Sequence, residues 1–63
     1  MSYNYAIHAA DGRVIERTHM TSWPKASAVR EARDRLAKGV GAYALILGFD
    51  WNRGERVVGK LSR

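Results

Sequence analysis

The chain has 63 residues, which is enough for one small domain and no more. A domain of this size buries only about 60% of its unfolded surface. Without a cysteine, it has no disulfide and no thiolate metal site to add stability, so self-association is the remaining common means. The formal net charge of +5 favours a polyanionic partner such as nucleic acid, although small proteins also carry net charge for solubility.

The sequence predicts neither a membrane segment nor a secretory signal. No run approaches the roughly 20 apolar residues of a membrane span, and the N-terminus lacks a basic stretch followed by an apolar one. Together with the absence of cysteine, this predicts a cytoplasmic protein without a membrane partner.

The N-terminal part predicts a β-hairpin. Residues 3–9 and 13–19 alternate in the manner of strands, and Asp11-Gly12 lies between them as a turn signal. Gly12 suits the left-handed position of a three-residue loop.

Loop length decides the register of this hairpin. A two-residue turn would set Ile7 opposite Glu16. A three-residue loop would set Ile7 opposite Ile15 and Tyr5 opposite Arg17. We prefer the second register because it pairs apolar residues, which points Tyr5, Ile7 and Ile15 toward the core.

A helix is predicted over residues 23–38. Thr21 or Ser22 is the expected N-cap, and a left-handed Gly39 is expected to end the helix. Trp23 is expected to pack beneath the helix start.

The predicted helix has an apolar side rich in alanine and an opposite charged side. The apolar arc holds Ala26, Ala28, Val29, Ala32, Leu36 and Ala37, with Arg33 at its edge. The charged arc holds Arg30, Glu31, Asp34, Arg35 and Lys38, which offers the i,i+4 ion pairs Arg30–Asp34, Glu31–Arg35 and Asp34–Lys38. Because alanine is small, we expect the helix to lie close to the sheet.

The second half of the chain predicts two more strands. Residues 43–49 form the most apolar run and have no charged side, which is typical of an interior strand. A loop over residues 50–55, with Gly54 at positive φ, leads to a last strand over residues 56–61. The predicted fold class is α+β, with order ββαββ: one domain over residues 1–63, in which one helix packs on one face of a four-stranded antiparallel sheet.

This layout resembles a family of small bacterial and phage ββαββ proteins of unknown function. The matching residues are Asp11-Gly12, Ala28, Ala32-Arg33, Ala37-Lys38, Gly41, Leu45-Ile46-Leu47 and Arg53-Gly54. The second turn departs from the family pattern, since it reads Asn-Arg-Gly where the family usually has Asp-Gly. The resemblance implies the fold and brings no catalytic residue to this chain.

No pattern of catalytic or metal-binding residues stands out. His8 and His19 fall on opposite faces of the preferred hairpin register, with no third ligand nearby, so we interpret them as surface or edge residues. No serine has a histidine and carboxylate pattern near it, and Gly39-Val40-Gly41 follows a helix instead of preceding one, as a phosphate loop would. The sequence predicts a non-enzyme without metal or cofactor.

Basic residues are concentrated in residues 23–38 and 51–63, each with net charge +3. The main hypothesis is a nucleic-acid-binding module that contacts phosphates through its last hairpin. The residues expected to take part are Arg53, Arg56, Lys60, Arg63, Trp51, Arg30 and Lys38. For Trp51 we favour packing back over the sheet edge, and the alternative is an exposed indole that stacks on a base or anchors a protein.

The second hypothesis is a protein-interaction role, either as a homodimer or as a phage-type or mobile-element-type factor that modifies a host protein. One helix covers only one face of a sheet, so the other face is free for a partner. We expect that uncovered face to hold Ala6, His8, Val14, Ala44 and Ile46. The sequence does not identify the partner or distinguish DNA, RNA and protein.

Overall fold

The fold is taken from a computed structural model, which describes residues 2–63. Its elements are β1 (Ser2–His8), β2 (Val14–Arg17), α1 (Lys25–Ala37), β3 (Tyr43–Asp50) and β4 (Gly54–Ser62). This order confirms the predicted ββαββ fold of class α+β. No helix within residues 2–63 has the length and apolar character needed to cross a membrane.

The four strands form one antiparallel sheet in the order β2-β1-β3-β4. Strand β3 pairs with β1 on one side and with β4 on the other, which confirms that the apolar run is interior. The two hairpins of the chain therefore meet through their first strands, and β2 and β4 are the edges.

The first hairpin has the predicted loop but not the predicted register. Ala9 N–H donates to the Arg13 carbonyl at 2.8 Å, and Gly12 has φ 94°, so the loop has three residues. A β-bulge follows immediately and sets Ile7 opposite Glu16. The predicted pairing of Ile7 with Ile15 is wrong because Ile15 is the extra residue of the bulge.

The bulge changes which residues the hairpin buries. Tyr5 and Ile7 are buried as predicted, but Ile15 is 45% exposed. Glu16 takes the position opposite Ile7, where its carboxylate accepts hydrogen bonds from Arg35 at 2.8 and 2.9 Å. The hairpin is thus joined to the helix by an ion pair.

Helix α1 begins two residues later than predicted and has no side-chain cap. Pro24 occupies the N-cap position. Thr21 is unavailable as a cap because its hydroxyl donates to the carbonyl of Tyr3 and accepts from Trp23 N–H at 3.4 Å. Trp23 stacks on Tyr5 with the ring centroids 6.2 Å apart, which confirms its predicted place beneath the helix start.

The helix ends as predicted. Gly39 has φ 81°, its N–H bonds the Leu36 carbonyl at 3.0 Å, and Val40 N–H bonds the Arg35 carbonyl at 3.2 Å. These are the two hydrogen bonds of a Schellman motif. Val40 then packs against the core.

One of the three predicted i,i+4 ion pairs of the helix is present, between Lys38 and Asp34 at 3.1 Å. Arg30 lies 3.8 Å from Glu31 instead of pairing with Asp34, and Arg35 bonds Glu16 of β2. The predicted pairs Arg30–Asp34 and Glu31–Arg35 are therefore wrong, because a strand carboxylate was a nearer partner for Arg35.

The helix-covered face of the sheet is the side on which α1 packs. Its core residues are Tyr5, Ile7, Ala44 and Ile46 of the sheet with Ala28, Ala32 and Leu36 of the helix, all buried. The small helix residues confirm the expected close approach. The prediction that Ala44 and Ile46 lie on the uncovered face is wrong, because they pair with Ile7 and Tyr5 and share their side.

The opposite side of the sheet, which we term the open face, has no helix. It carries Asn4, Ala6, His8, Val14, Arg17, Tyr43, Leu45, Leu47, Phe49, Glu55, Val57 and Lys60. Ala6, His8 and Val14 thus lie on the predicted side. Ala6 is nonetheless buried by its neighbours, whereas Val14 is exposed.

Candidate nucleic-acid interface

Carboxylates divide the basic side chains into two sets. Within residues 2–63, four of the basic groups form ion pairs: Arg17–Glu55, Arg30–Glu31, Arg35–Glu16 and Lys38–Asp34. In that same part of the chain, Arg13, Lys25, Arg33, Arg53, Arg56, Lys60 and Arg63 have no carboxylate within ion-pair distance. The second set carries the charge that is free to meet a polyanion.

All four basic residues of the second hairpin belong to the unpaired set. Glu55, the acidic residue of strand β4, is engaged by Arg17 through two hydrogen bonds of 2.7 and 3.0 Å. These bonds lower the pKa of Glu55 and raise that of Arg17, so both stay charged. Strand β4 and its turn therefore present Arg53, Arg56, Lys60 and Arg63 without neutralisation.

The hairpin cations lie on both sides of the edge strand β4. Lys60 is opposite Leu45 on the open face, and its ammonium lies 4.6 Å from the centroid of the Tyr43 ring. Arg56 is opposite Gly48, on the other side, and Arg63 donates to the Gly41 carbonyl at 3.3 Å. They form a positive edge, not one flat patch.

The turn of the second hairpin holds its indole in solvent. Asp50 orders the turn by accepting from Asn52 N–H at 2.8 Å and, through its carbonyl, from Arg53 N–H at 3.1 Å. Trp51 is 91% exposed and touches Phe49 edge-on, with the centroids 5.3 Å apart. The favoured prediction that Trp51 packs back into the core is wrong, and the exposed alternative is observed.

Arg30 and Lys38 are not brought to this edge. They lie on the solvent side of α1, on the far side of the sheet from the open face, and each is near a carboxylate of its own helix. The structure therefore separates the predicted site into the hairpin residues and two distant helix residues.

One basic residue near the hairpin was missed. Arg33 lines a depression of about 320 Å³ between α1 and β4, together with Leu36, Leu61 and Arg63. Its place at the edge of the apolar arc was the available signal, since a residue there faces the boundary between the helix and the sheet.

A larger cavity, about 620 Å³ in volume, lies where the open face meets the turn at Trp51. Phe49 and Trp51 form its aromatic side, and Asn4 and the Arg17–Glu55 pair also line it. Met20 on its rim is 96% exposed and has φ 52°, a left-handed conformation that is strained for a residue other than glycine.

His8 and the partly exposed Arg35–Glu16 ion pair have structural partners. His8 donates from Nδ1 to the Gly12 carbonyl at 2.9 Å and stacks on Tyr43 at 5.0 Å. Over residues 2–63, no three His, Asp or Glu side chains gather as metal ligands would. The Tyr5 hydroxyl donates a hydrogen bond to the Glu16 carboxylate at 3.3 Å. The pKa of Tyr5 is raised mainly by burial and secondarily by the negative charge of Glu16.

Comparison of this chain with protein-family models, with curated proteins and with solved structures gives no match in any of the three. The resemblance to small ββαββ proteins of unknown function thus stays a prediction. Function has to be inferred from the surface of the chain itself.

Proposed function

We propose that the protein is a non-enzymatic nucleic-acid-binding module that contacts phosphates along its second hairpin. The observation that carries this proposal is the absence of any carboxylate partner, within the described residues, for Arg53, Arg56, Lys60 and Arg63. Unpaired cations on both sides of an edge strand can bind successive phosphates of a nucleic-acid backbone, because no existing ion pair has to be broken first.

The chemistry of these side chains suits phosphate. An arginine guanidinium offers a planar set of donors that matches two phosphate oxygens, and three of the four hairpin cations are arginines. Contacts of this kind position a protein on the backbone without reading the base sequence, so we expect weak sequence preference.

Salt dependence is the first test. Four phosphate contacts predict a slope of about −3.6 for duplex DNA and about −2.8 for a single strand in a plot of log K against log salt concentration. Fluorescence anisotropy with labelled duplex and single-stranded DNA and RNA would measure it. Absence of binding to every one of these ligands at low salt would refute the proposal.

A pair of variants with equal charge change locates the contact surface. The double variant Arg53→Gln/Arg56→Gln removes two unpaired hairpin cations, and we expect about a tenfold loss of affinity and a shallower salt slope. The matched control Arg30→Gln/Lys38→Gln removes two cations from the far side of the molecule. Equal losses in both variants would show that only net charge matters.

A second candidate, association with another copy of the chain or with a host protein, is favoured by the exposed apolar residues of the open face. Val14 and Val57 lie on that face and are exposed, and Trp51 and Met20 extend from its end. Sedimentation would show an oligomer that the variant Val57→Lys dissociates. A monomer at all concentrations would exclude the homodimer.

A further inference from the structure

The cavity beside Trp51 is not accounted for by phosphate contacts, because its walls are aromatic and polar. We propose that it receives a single unstacked nucleobase, which makes single-stranded nucleic acid the preferred ligand of this protein. The inference rests on the proposed nucleic-acid binding. It adds that the ligand is single-stranded and that one of its bases binds in this cavity.

Trp51 is the aromatic residue with a free ring surface. It is 91% exposed, and its T-shaped contact with Phe49 therefore leaves most of the indole surface in solvent. Tyr43, also on the open face, is already engaged by a parallel His8 ring at 5.0 Å and by the Lys60 ammonium at 4.6 Å. A base therefore has one available stacking position, at the cavity.

The cavity has the size of a small-molecule site. Its volume of about 620 Å³ lies within the range of about 300–1,000 Å³ typical of pockets that hold small ligands. It is open to solvent, and its lining residues Trp51 and Met20 are almost fully exposed, so a base attached to its backbone could enter without passing through the sheet.

A buried amide supplies a polar group for the base edge. Asn4 is 3% exposed, and its Oδ1 accepts from the Thr18 hydroxyl at 3.1 Å and from Thr21 N–H at 3.4 Å. The two donors fix the orientation of the amide, since a backbone N–H can bond only the oxygen. Asn4 lines the cavity, and its Nδ2, which has no hydrogen bond within the described residues, is the group left to donate to a base carbonyl or ring nitrogen.

The charges around the cavity favour a nucleotide over an aromatic peptide. Arg17 and Glu55 neutralise each other on the cavity wall. Arg53, two residues after Trp51 in the same turn, has no carboxylate partner in residues 2–63 and is thus free to pair with the phosphate of the bound nucleotide. An uncharged aromatic side chain would leave that cation without a counterpart.

The requirement for an unstacked base gives the preference for single strands. In a duplex, both faces of every internal base are covered by its neighbours, so Trp51 can stack only on a base that has left the helix. Phosphate contacts along β4 are available to both forms of nucleic acid.

The test compares one single-stranded and one duplex DNA of matched phosphate number by fluorescence anisotropy at low salt. The variant Trp51→Ala should lower affinity for the single strand about tenfold, leave duplex affinity unchanged, and keep the circular dichroism of the wild type. Trp51→Phe should recover part of the loss. The control is Ile15→Ala, at an exposed apolar residue of the first hairpin, and it should change neither affinity.

Spectroscopy reports the contact directly. In a Trp23→Phe background, Trp51 is the single indole, and stacking on a base should quench its emission with the single strand and not with the duplex. Equal affinity for both ligands, or an unchanged affinity of Trp51→Ala for the single strand, would overturn this inference while leaving the proposed function standing.

Two other outcomes are also decisive. If the wild type binds neither DNA at low salt nor the corresponding RNA, the proposed function fails together with this inference. If Trp51→Ala instead converts a sedimenting oligomer into a monomer, the indole is a protein contact and the base site is refuted.

Discussion

The two faces of the sheet bury their side chains in different ways. On the helix-covered face, small residues and a few large ones pack between the helix and the sheet. Four of them have no exposed surface: Ile7, Ala28, Ala32 and Ala44. On the open face, Leu47 is only 7% exposed although no helix lies over it. There the large side chains of β3 and the neighbouring strands shield one another.

This difference assigns different roles to the two faces: the covered face stabilises the fold, and the open face has side chains exposed for contact with a partner. The helix closes the covered face, so its buried core residues are out of reach of a partner. The open face buries some apolar surface by lateral contact and still presents Trp51, Lys60 and the cavity to solvent. One small sheet thus forms the core on one side and, under the proposed function, supplies the binding surface on the other.

The largest effect is expected from Ile46→Ala on the covered face. Ile46 is fully buried beneath the helix between Tyr5 and Gly59 of the adjoining strands, so truncation leaves a cavity that the rigid sheet cannot fill. We expect a loss of about 4 kcal/mol in the free energy of unfolding, measured by urea denaturation. That loss is comparable to the whole stability of a small domain. A variant as stable as the wild type would therefore show that Ile46 is not tightly packed beneath the helix.

Gly41→Ala should destabilise the protein by about 3 kcal/mol through steric overlap. A Cβ at this position would lie 2.5 Å from Ile7 Cγ2 and 2.8 Å from the His8 carbonyl oxygen, and the backbone atom cannot move aside. The matched control is Gly59→Ala, whose Cβ would make ordinary contacts of 3.6 and 3.7 Å with Ile46. Thermal denaturation of the two variants should differ clearly.

Leu47→Ala tests the open face at the residue next to Ile46. We expect a smaller loss of about 2 kcal/mol, because the flexible neighbours and solvent can occupy part of the vacated space. The same urea titration applies. If Leu47→Ala were as damaging as Ile46→Ala, lateral shielding would be equivalent to helix cover, and the contrast between the faces would disappear.

Glu55→Gln should have the smallest effect and should depend on pH. The Arg17 hydrogen bonds lower the pKa of Glu55 in the folded protein, so the pair stabilises the fold above the ordinary carboxyl pKa. This contribution, below about 1 kcal/mol for a pair that is partly exposed, is lost as the pH falls through the lowered value. Wild type and variant should differ in stability at pH 7 and converge in acid.

Glu31→Gln is the control for that experiment, since it removes the same charge from the helix surface, where the nearest guanidinium nitrogen is 3.8 Å away. A difference between wild type and Glu55→Gln that persists unchanged in acid would show that the ion pair is not its source.

Local signals in the sequence were sufficient for the elements and several turns. The apolar run of β3, the Gly12 loop and the Gly39 helix end each depend on a few consecutive residues, and each is observed as predicted. The bulge at Ile15 was not predictable in this way, because Val14 and Ile15 are both apolar, so either could be assigned to the core side, and no glycine or proline marks the extra residue.

The side of β3 that meets the helix was also ambiguous. Both sides of this strand are apolar, so alternation alone could not decide between Ile46 and Leu47. The pairing with β1 settles it, since Ile46 lies opposite Tyr5 and Leu47 opposite Asn4.

The candidate site was predictable in composition and not in arrangement. The excess of cations in residues 51–63 is visible in the sequence. That Arg17 neutralises Glu55, 38 residues away, is a tertiary contact without local signal. The exposure of Trp51 and the cavity beside it likewise depend on how the turn meets the end of β1.

The pairing of β1 with β3 bears on how this chain reaches its folded state during translation. The first strand made needs a neighbour that is synthesised only after the helix, and the helix needs Ala44 and Ile46 to complete its apolar contacts. A nascent chain that ends before residue 43 therefore leaves Tyr5, Ile7 and the alanine stripe exposed to water. Stalled nascent chains in which β3 is still inside the ribosomal exit tunnel should be far less resistant to protease than chains in which β3 has left it.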